Sequence, residues 1–127
     1  MKIFTFLLFF ISASVFSAEV VLYCSDTEAV GFEPEENFTQ KEFKERRFTI
    51  EVNFEEKSLV SQEIGFVNFS DSPTICIENE NYEYLACYNF FSNASVKINP
   101  KDLRFVRTFM YGEKDSIYIT HGECEKF

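Results

Sequence analysis

The stretch RFTIEVNF, residues 47–54, alternates apolar and polar side chains over its whole length. The apolar set occupies every second position and comprises Phe48, Ile50, Val52 and Phe54. Successive side chains of a β-strand point to opposite faces, so this alternation predicts a strand with one face buried and the other in water.

Short alternating stretches of the same kind recur along the chain, separated by polar connections such as NPKD and GEKD. They predict an all-β fold, an antiparallel meander of about seven to nine short strands. Such a sheet must curl to bury one face, so we expect a partly closed barrel or a small sandwich, with two disulfides. Residues 33–48 are highly charged and lack the alternation. They predict a long loop with a helical turn near residues 41–45.

The chain opens with an apolar segment, in which Lys2 precedes an apolar run and a group of small residues. This order is typical of a secretory signal peptide, and Val15 and Ser17 at the small positions favour cleavage after Ser17. The run is shorter than the roughly 20 residues that span a bilayer, so no stable membrane anchor is expected. We predict a removed signal peptide over residues 1–17, a single β-domain over residues 18–127, and a periplasmic or secreted location.

The mature chain is strongly acidic. Without Lys2 it has 11 Lys and Arg against 21 Asp and Glu, a net charge of −10. Nucleic acids and anionic membrane surfaces favour basic patches, so neither is an expected partner. The sequence has no G-x-S-x-G motif and no phosphate-binding glycine loop, and no cofactor is expected.

Four cysteines, an even number in an exported chain, predict two disulfides. Three pairings are possible, and we favour Cys76 with Cys87 across a hairpin and Cys24 with Cys124 across the two ends of the mature chain. The chain-entropy model assigns about 3 kcal/mol to a short loop and about 4.7 kcal/mol to one near 100 residues. The cysteines lack the close C-x-x-C spacing of zinc sites, and the single histidine, His121, is expected at the surface.

The segment CIENENYEYLAC, residues 76–87, has three possible interpretations. Its carboxylate and amide oxygens suit Ca²⁺, but the spacing is not that of an EF-hand and no glycine permits its sharp loop. Catalysis by its glutamates would need a pocket that perturbs their acidity. If Ile77 pairs with Ala86, then Cys76 opposes Cys87 and the tip, residues 80–83, lies in water. We therefore predict a disulfide-linked hairpin, with no metal site and no catalytic residue.

Aromatic side chains form the candidate binding face: Tyr82, Tyr84, Tyr88, Phe90, Phe105, Phe109 and Tyr111. The strand over residues 82–91 is apolar on both faces because Leu85 and Phe91 alternate with the tyrosines. That pattern is typical of a strand covered on both sides or of a docking site. The simplest interpretation is that these aromatics form the core. The functional interpretation is that they bind an unknown protein or a small apolar ligand.

The leading prediction is a small exported, non-enzymatic binding or interaction protein. One alternative is a carrier of an apolar small molecule in a barrel mouth. Another is a secreted hydrolase, which would require two carboxylates converging in a cleft. An adaptor that adds its tail to a partner is favoured if the ending CEKF protrudes.

The leader, the VLYC that follows it, the strand FTIEVNF and the ending SIYITHGECEKF together resemble a group of short exported proteins from planktonic marine bacteria. The resemblance spans nearly the full chain, and its most distinctive motif is the tail, residues 122–127. It implies a bacterial periplasmic or secreted setting and no particular catalytic or binding residue. Three sequons, at Asn37, Asn68 and Asn93, would carry glycans only in a eukaryotic secretory pathway.

Overall fold

The computed structural model describes residues 18–33, 37, 39–66, 74–79, 81–110 and 116–127. These residues form the strands β1 (Val20–Phe32), β2 (Gln40–Glu42), β3 (Arg47–Asn53), β4 (Ser58–Val60), β5 (Thr74–Asn79), β6 (Tyr84–Asn89), β7 (Ala94–Ile98), β8 (Arg104–Met110) and β9 (Ile117–Lys126). A 3₁₀ turn, Gln62–Ile64, follows β4. The described chain is thus all-β, as predicted, and the predicted leader lies outside it.

The strands form one antiparallel sheet in the order β4-β3-β1-β9-β8-β7-β6-β5, with β2 beside the second half of β1. The two ends of this order, β4 and β5, contact each other, so eight strands make a nearly closed barrel. Closure buries one face of every strand in a shared interior. Of the two expected forms, the structure shows the barrel.

Strand β1 bends where it crosses from one neighbour to the next. It pairs with β3 along its first half, with β2 along its second half and with β9 on its other side. A bulge between Asp26 and Glu28 shifts its register against β9, and bulges increase bending and twist. Gly122 lies opposite Asp26, where an added Cβ would lie 2.0 Å from the Ser25 carbonyl oxygen. A larger residue at position 122 would therefore push the two strands apart.

Side chains of the described residues pack together in the barrel interior. The largest of those with less than 2% exposure are Phe66, Leu22, Ile50, Leu59, Leu85, Ile98, Val52, Val96, Asn89, Thr120 and Cys87. Phe48, Ile50 and Val52 face inward as the alternation predicted. Asn53, expected in water, is buried because the strand ends there and its Oδ1 accepts the backbone N–H groups of Glu55 and Glu56.

Four hairpin connections share one local structure. Each begins with an asparagine whose Oδ1 accepts the backbone N–H two residues later: Asn53, Asn79, Asn89 and Asn99. Four positions after that asparagine, each has a residue with positive φ: Lys57, Glu83, Asn93 and Leu103. The asparagine satisfies a donor that the turn would otherwise leave unpaired. The chain therefore builds these four hairpins without glycine.

Both disulfides confirm the preferred pairing. Cys24–Cys124 joins opposed residues of β1 and β9, and Cys76–Cys87 joins opposed residues of β5 and β6, with a Cα separation of 4.0 Å in each. Ile77 pairs with Ala86, which is the predicted register. The hairpin is therefore cross-linked at its base.

A buried ion pair lies in the barrel beside the rings of Phe48 and Tyr118. Arg107 Nη2 is 2.7 Å from Asp26 Oδ2, and the two side chains are 3% and 0% exposed. Asp26 also accepts the backbone N–H of Arg46, and the guanidinium lies 4.9 Å from the centroid of the Phe48 ring and 5.6 Å from that of Tyr118. A buried charge is tolerated when it is paired and hydrogen-bonded in this way.

The helical turn predicted near residues 41–45 is wrong. Residues 40–42 form β2, which pairs with the end of β1. The backbone N–H of Phe43 bonds the Ala29 carbonyl, and its ring lies 5.4 Å from that of Tyr118. Lys41 Nζ lies 2.9 Å from Glu33, an ion pair between charged side chains beside the strand. The high charge density hid a strand too short to show alternation.

Candidate functional site on the outer face of β5 and β6

The outer surface of β5 and β6 is apolar although it faces solvent. We call it the β5–β6 face, and its members are Ile75, Ile77, Tyr84, Ala86, Tyr88, Phe90 and Tyr82 at the hairpin tip. Ile77, Tyr82 and Phe90 are 64%, 71% and 61% exposed. A contiguous apolar patch on an otherwise acidic protein is typical of an interaction site.

The orientation of β6 follows from the disulfide. Cys87 is buried between Leu85 and Asn89, so these three side chains point into the barrel. The residues between them must then point outward. Tyr84 and Tyr88 are half-buried on that outer side, where neighbouring side chains cover part of each ring.

A shallow groove of about 310 Å³ runs along this face. Ala86 lies between Ile77 and Lys97 in the hydrogen-bonded register, and its small side chain leaves a depression between these longer ones. Tyr88 and Phe90 line the groove as well. Its size lies at the lower end of the range for ligand pockets.

Neighbouring groups hold the aromatic rings of the face in place. The centroids of Tyr88 and Phe90 are 4.6 Å apart in an edge-to-face contact, and the Tyr88 hydroxyl lies 3.2 Å from Asn93 Oδ1 and donates to it. Lys97 Nζ lies 5.2 Å from the centroid of the Tyr84 ring. Rings fixed in this way lose little conformational entropy when a ligand covers them.

The other predicted aromatics lie elsewhere. Phe105 is buried in the core against Phe48, with the ring centroids 5.3 Å apart. Phe109 is half-buried and packs on the same core and on Tyr118. Tyr111 lies outside the described residues. The structure therefore brings together Tyr82, Tyr84, Tyr88 and Phe90, and does not add the aromatics of β8 to them.

The described glutamates of the hairpin do not converge on a shared site. Glu78 lies 3.4 Å from Lys57 Nζ, and Glu83 lies 2.6 Å from Lys101 Nζ. Glu80 lies outside the described residues. Within the described chain, His, Cys, Asp and Glu side chains nowhere gather in threes as a metal site would require.

Two of the three sequon asparagines are described. Asn37 is exposed in a turn, whereas Asn93 is half-buried in the β6–β7 turn with its side chain bonded to Tyr88. Asn68 lies outside the described residues. The side chain of Asn93 is therefore already engaged in holding the candidate face.

A second, polar cleft of about 700 Å³ lies beside the Cys24–Cys124 disulfide and contains four carboxylates. Three of them already bind neighbours. Glu63 accepts the Thr49 hydroxyl at 2.9 Å, Asp102 accepts the Arg104 N–H, and Glu123 lies 3.4 Å from Arg104 Nε.

His121 and the C-terminal tail are also at the surface. His121 Nε2 lies 3.3 Å from Glu28 on the outside of the barrel. The tail does not protrude: β9 continues to Lys126, and the Phe127 N–H bonds the Val21 carbonyl. The Phe127 ring is 94% exposed and lies 5.2 Å from Tyr23.

Sequence reasoning missed Ile75 and Ile77, which form one wall of the groove. A signal was present in the segment TICIEN. Once Cys76 is paired with Cys87 inside the barrel, its neighbours at positions 75 and 77 must point outward.

Comparison of the chain with family models, curated proteins and solved structures gave no significant match. The described residues contain no helix with the length and apolar character of a membrane span. The function must therefore be inferred from the surface itself.

Proposed function

We propose that this chain is a small exported, non-enzymatic interaction protein that binds a partner protein through the β5–β6 face. The observation that carries the proposal is the exposed groove of Ile75, Ile77, Tyr88 and Phe90 on the outside of the barrel. Apolar side chains left in water forgo about 25 cal/mol of transfer free energy per Å². A partner that covers them recovers that free energy.

The packing of the described interior side chains supports an outer site over a carrier function. Leu22, Ile50, Leu85 and Ile98 line the barrel with at most 2% exposure. A ligand in the barrel would have to displace packed side chains, and protein cores pack as densely as organic crystals. The β5–β6 face requires no such displacement.

The carboxylates also favour binding over hydrolysis. The hairpin glutamates Glu78 and Glu83 are matched with lysines, and three of the four carboxylates in the polar cleft, Glu63, Asp102 and Glu123, each hold a local hydrogen bond or ion pair. A general acid and base need carboxylates free to act on a substrate. Export is supported by the two disulfides, which form and persist mainly in oxidising compartments.

Affinity capture followed by direct titration tests the proposal. The partner captured by the wild-type chain is purified, and its affinity is measured by calorimetry for the wild type, Ile77→Ser and Phe90→Ser. Each substitution is expected to weaken binding roughly tenfold or more, because buried aromatic and aliphatic anchors dominate interface energy. Both side chains are exposed, so folding should be unaffected.

Phe91→Ser is the matched control. Phe91 adjoins Phe90 and is 76% exposed, but it is not among the residues that line the groove. Equal weakening by Phe90→Ser and Phe91→Ser, or no weakening by either groove variant, would exclude the groove as the binding site.

A further inference from the structure

A second exposed apolar surface lies on the other side of the barrel. We call it the β8–β9 face, and its members are Val106, Met110, Ile117, Ile119 and Phe32 at the end of β1. Each is between 41% and 49% exposed. The register aligns them in rows across the strands, with Met110, Ile117 and Phe32 in one row and Thr108, Ile119 and Val30 in the next.

The charged residues of this face are ordered by sign. Continuing along the strands, the next row runs Lys97, Val106, His121 and Glu28, from β7 to β1. The row after it pairs Arg104 on β8 with Glu123 on β9. In both rows the Lys or Arg lies on the β7–β8 side and the Glu on the β9–β1 side, and in the first row His121 Nε2 also lies 3.3 Å from Glu28 of its own chain.

We propose that a second copy of this chain covers the β8–β9 face, in a face-to-face dimer whose two-fold axis runs between β8 and β9, parallel to them. That axis places β8 over the partner copy's β9 and β7 over its β1, while each row stays opposite itself. Lys97 then meets Glu28 of the other copy, twice by symmetry. Ile119 of one copy then lies opposite Thr108 of the other copy, and Met110 of one copy lies opposite Ile117 of the other.

The curvature of the barrel suits this arrangement. Convex faces approach most closely at the central strands, β8 and β9, where the short aliphatic side chains lie. The gap widens toward β7 and β1, where the long side chains of Lys97 and Glu28 can span it. The aliphatic core with a charged rim is the usual composition of an interface.

This inference goes beyond the proposed function, since the dimer leaves Ile75, Ile77 and Phe90 of the β5–β6 face open. Lys97 lines the groove and also belongs to the dimer rows, so the groove is tested through Ile77 and Phe90 and the dimer through Ile119 and Glu28 as well as Lys97. A failure of the dimer would not affect the groove experiment, and a failure of the groove would not affect the oligomeric state.

Sedimentation velocity over a concentration series tests the dimer. The wild type is expected to sediment as a dimer, and Ile119→Lys as a monomer. Lys97→Glu and Glu28→Lys should each weaken the dimer roughly tenfold to a hundredfold, because each places like charges opposite each other twice. The double variant Lys97→Glu with Glu28→Lys should regain most of the wild-type affinity.

The double variant isolates contacts between copies. Within one chain the two residues are three strands apart, about 14 Å at the usual strand spacing, so they cannot compensate each other internally. Ile77→Lys, on the β5–β6 face, is the control and should leave the dimer intact. Thermal melts of every variant verify that each one folds.

Three results would overturn the dimer. They are a wild type that remains monomeric at its highest soluble concentration, an Ile119→Lys variant that still dimerises, and a double variant no tighter than the single ones. In the first case, a different molecule covers the face or none does.

Discussion

At the scale of single residues, the molecule depends on one buried pair of charges. Arg107 and Asp26 are 81 positions apart in sequence and meet inside the barrel, with Nη2 2.7 Å from Oδ2. Removing one partner of such a pair leaves an uncompensated charge in a low-dielectric interior. The pair therefore constrains the native arrangement even if its net contribution to stability is small.

The first prediction concerns this pair. Arg107→Met should lower the free energy of unfolding by about 3–5 kcal/mol in urea denaturation, because it strands the Asp26 carboxylate. Adding Asp26→Asn should recover part of the loss, since the amide removes the charge and can still accept the Arg46 N–H. Arg104→Met, on the same strand but exposed, should change stability by no more than about 0.5 kcal/mol. A similar small loss for Arg107→Met would mean that the pair is not buried as described.

The second prediction concerns the asparagine that begins a turn. Asn99→Ala should lower the free energy of unfolding by about 1 kcal/mol, because the Lys101 N–H loses its acceptor at 2.8 Å. Asn81→Ala is the control. Asn81 bonds Asn79, the first residue of its turn, through its backbone N–H, and the substitution keeps that N–H. Equal losses in the two variants would show that the shared turn structure does not depend on its first residue.

At the scale of elements, the disulfide between β5 and β6 fixes which way each strand faces. Cys76 and Cys87 lie on the inner side, so the register sets Ile75, Ile77 and Tyr88 outward. The groove is thus a consequence of the cross-linked hairpin. The strand pairing and the candidate binding site share one structural cause.

The third prediction follows from this cross-link. The double variant Cys76→Ala with Cys87→Ala should lose about 3 kcal/mol of unfolding free energy, and Cys24→Ala with Cys124→Ala about 4.7 kcal/mol, since the second disulfide closes a far longer loop. Chemical denaturation under non-reducing conditions measures both. A larger loss for the short loop would contradict the chain-entropy explanation.

Local periodicity predicted the strands, because alternation places Phe48, Ile50 and Val52 on one face. Opposed positions in a hairpin predicted the Cys76–Cys87 disulfide, whereas Cys24–Cys124 was expected because it joins the two ends of the mature chain. Alternation does not state which face is inside, and for that reason Phe105 was grouped with Tyr82 although the two lie on opposite sides of the barrel wall.

Other features could not follow from local pattern. The partner of Arg107 depends on which strands become neighbours, a property of the whole sheet. Strand β2 is three residues long and forms because the end of β1 offers it a backbone to pair with. The four asparagine turns lack glycine, which is the usual sequence signal of a tight hairpin turn. Their shared structure therefore does not follow from the sequence pattern alone.

At the scale of the whole molecule, the described part of the barrel carries the β5–β6 and β8–β9 faces on the outside of an acidic chain. The β5–β6 face combines rings held by their neighbours with a groove beside Ala86, and the β8–β9 face combines aliphatic rows with charges ordered by sign. The shallow groove suits an inserted side chain, and the aliphatic rows of β8 and β9 suit another sheet. We propose a partner protein as the occupant of the first face and a copy of the chain as the occupant of the second.

Photo-cross-linking from adjacent positions shows whether the β5–β6 face contacts a partner protein. A benzophenone amino acid replaces Phe90, which lines the groove, or Phe91, which does not, in cells that export the protein. Adducts are then compared by mass spectrometry. We expect one discrete protein adduct from position 90 and little or none from position 91. Equal labelling from both positions, or none from position 90, would contradict the proposal.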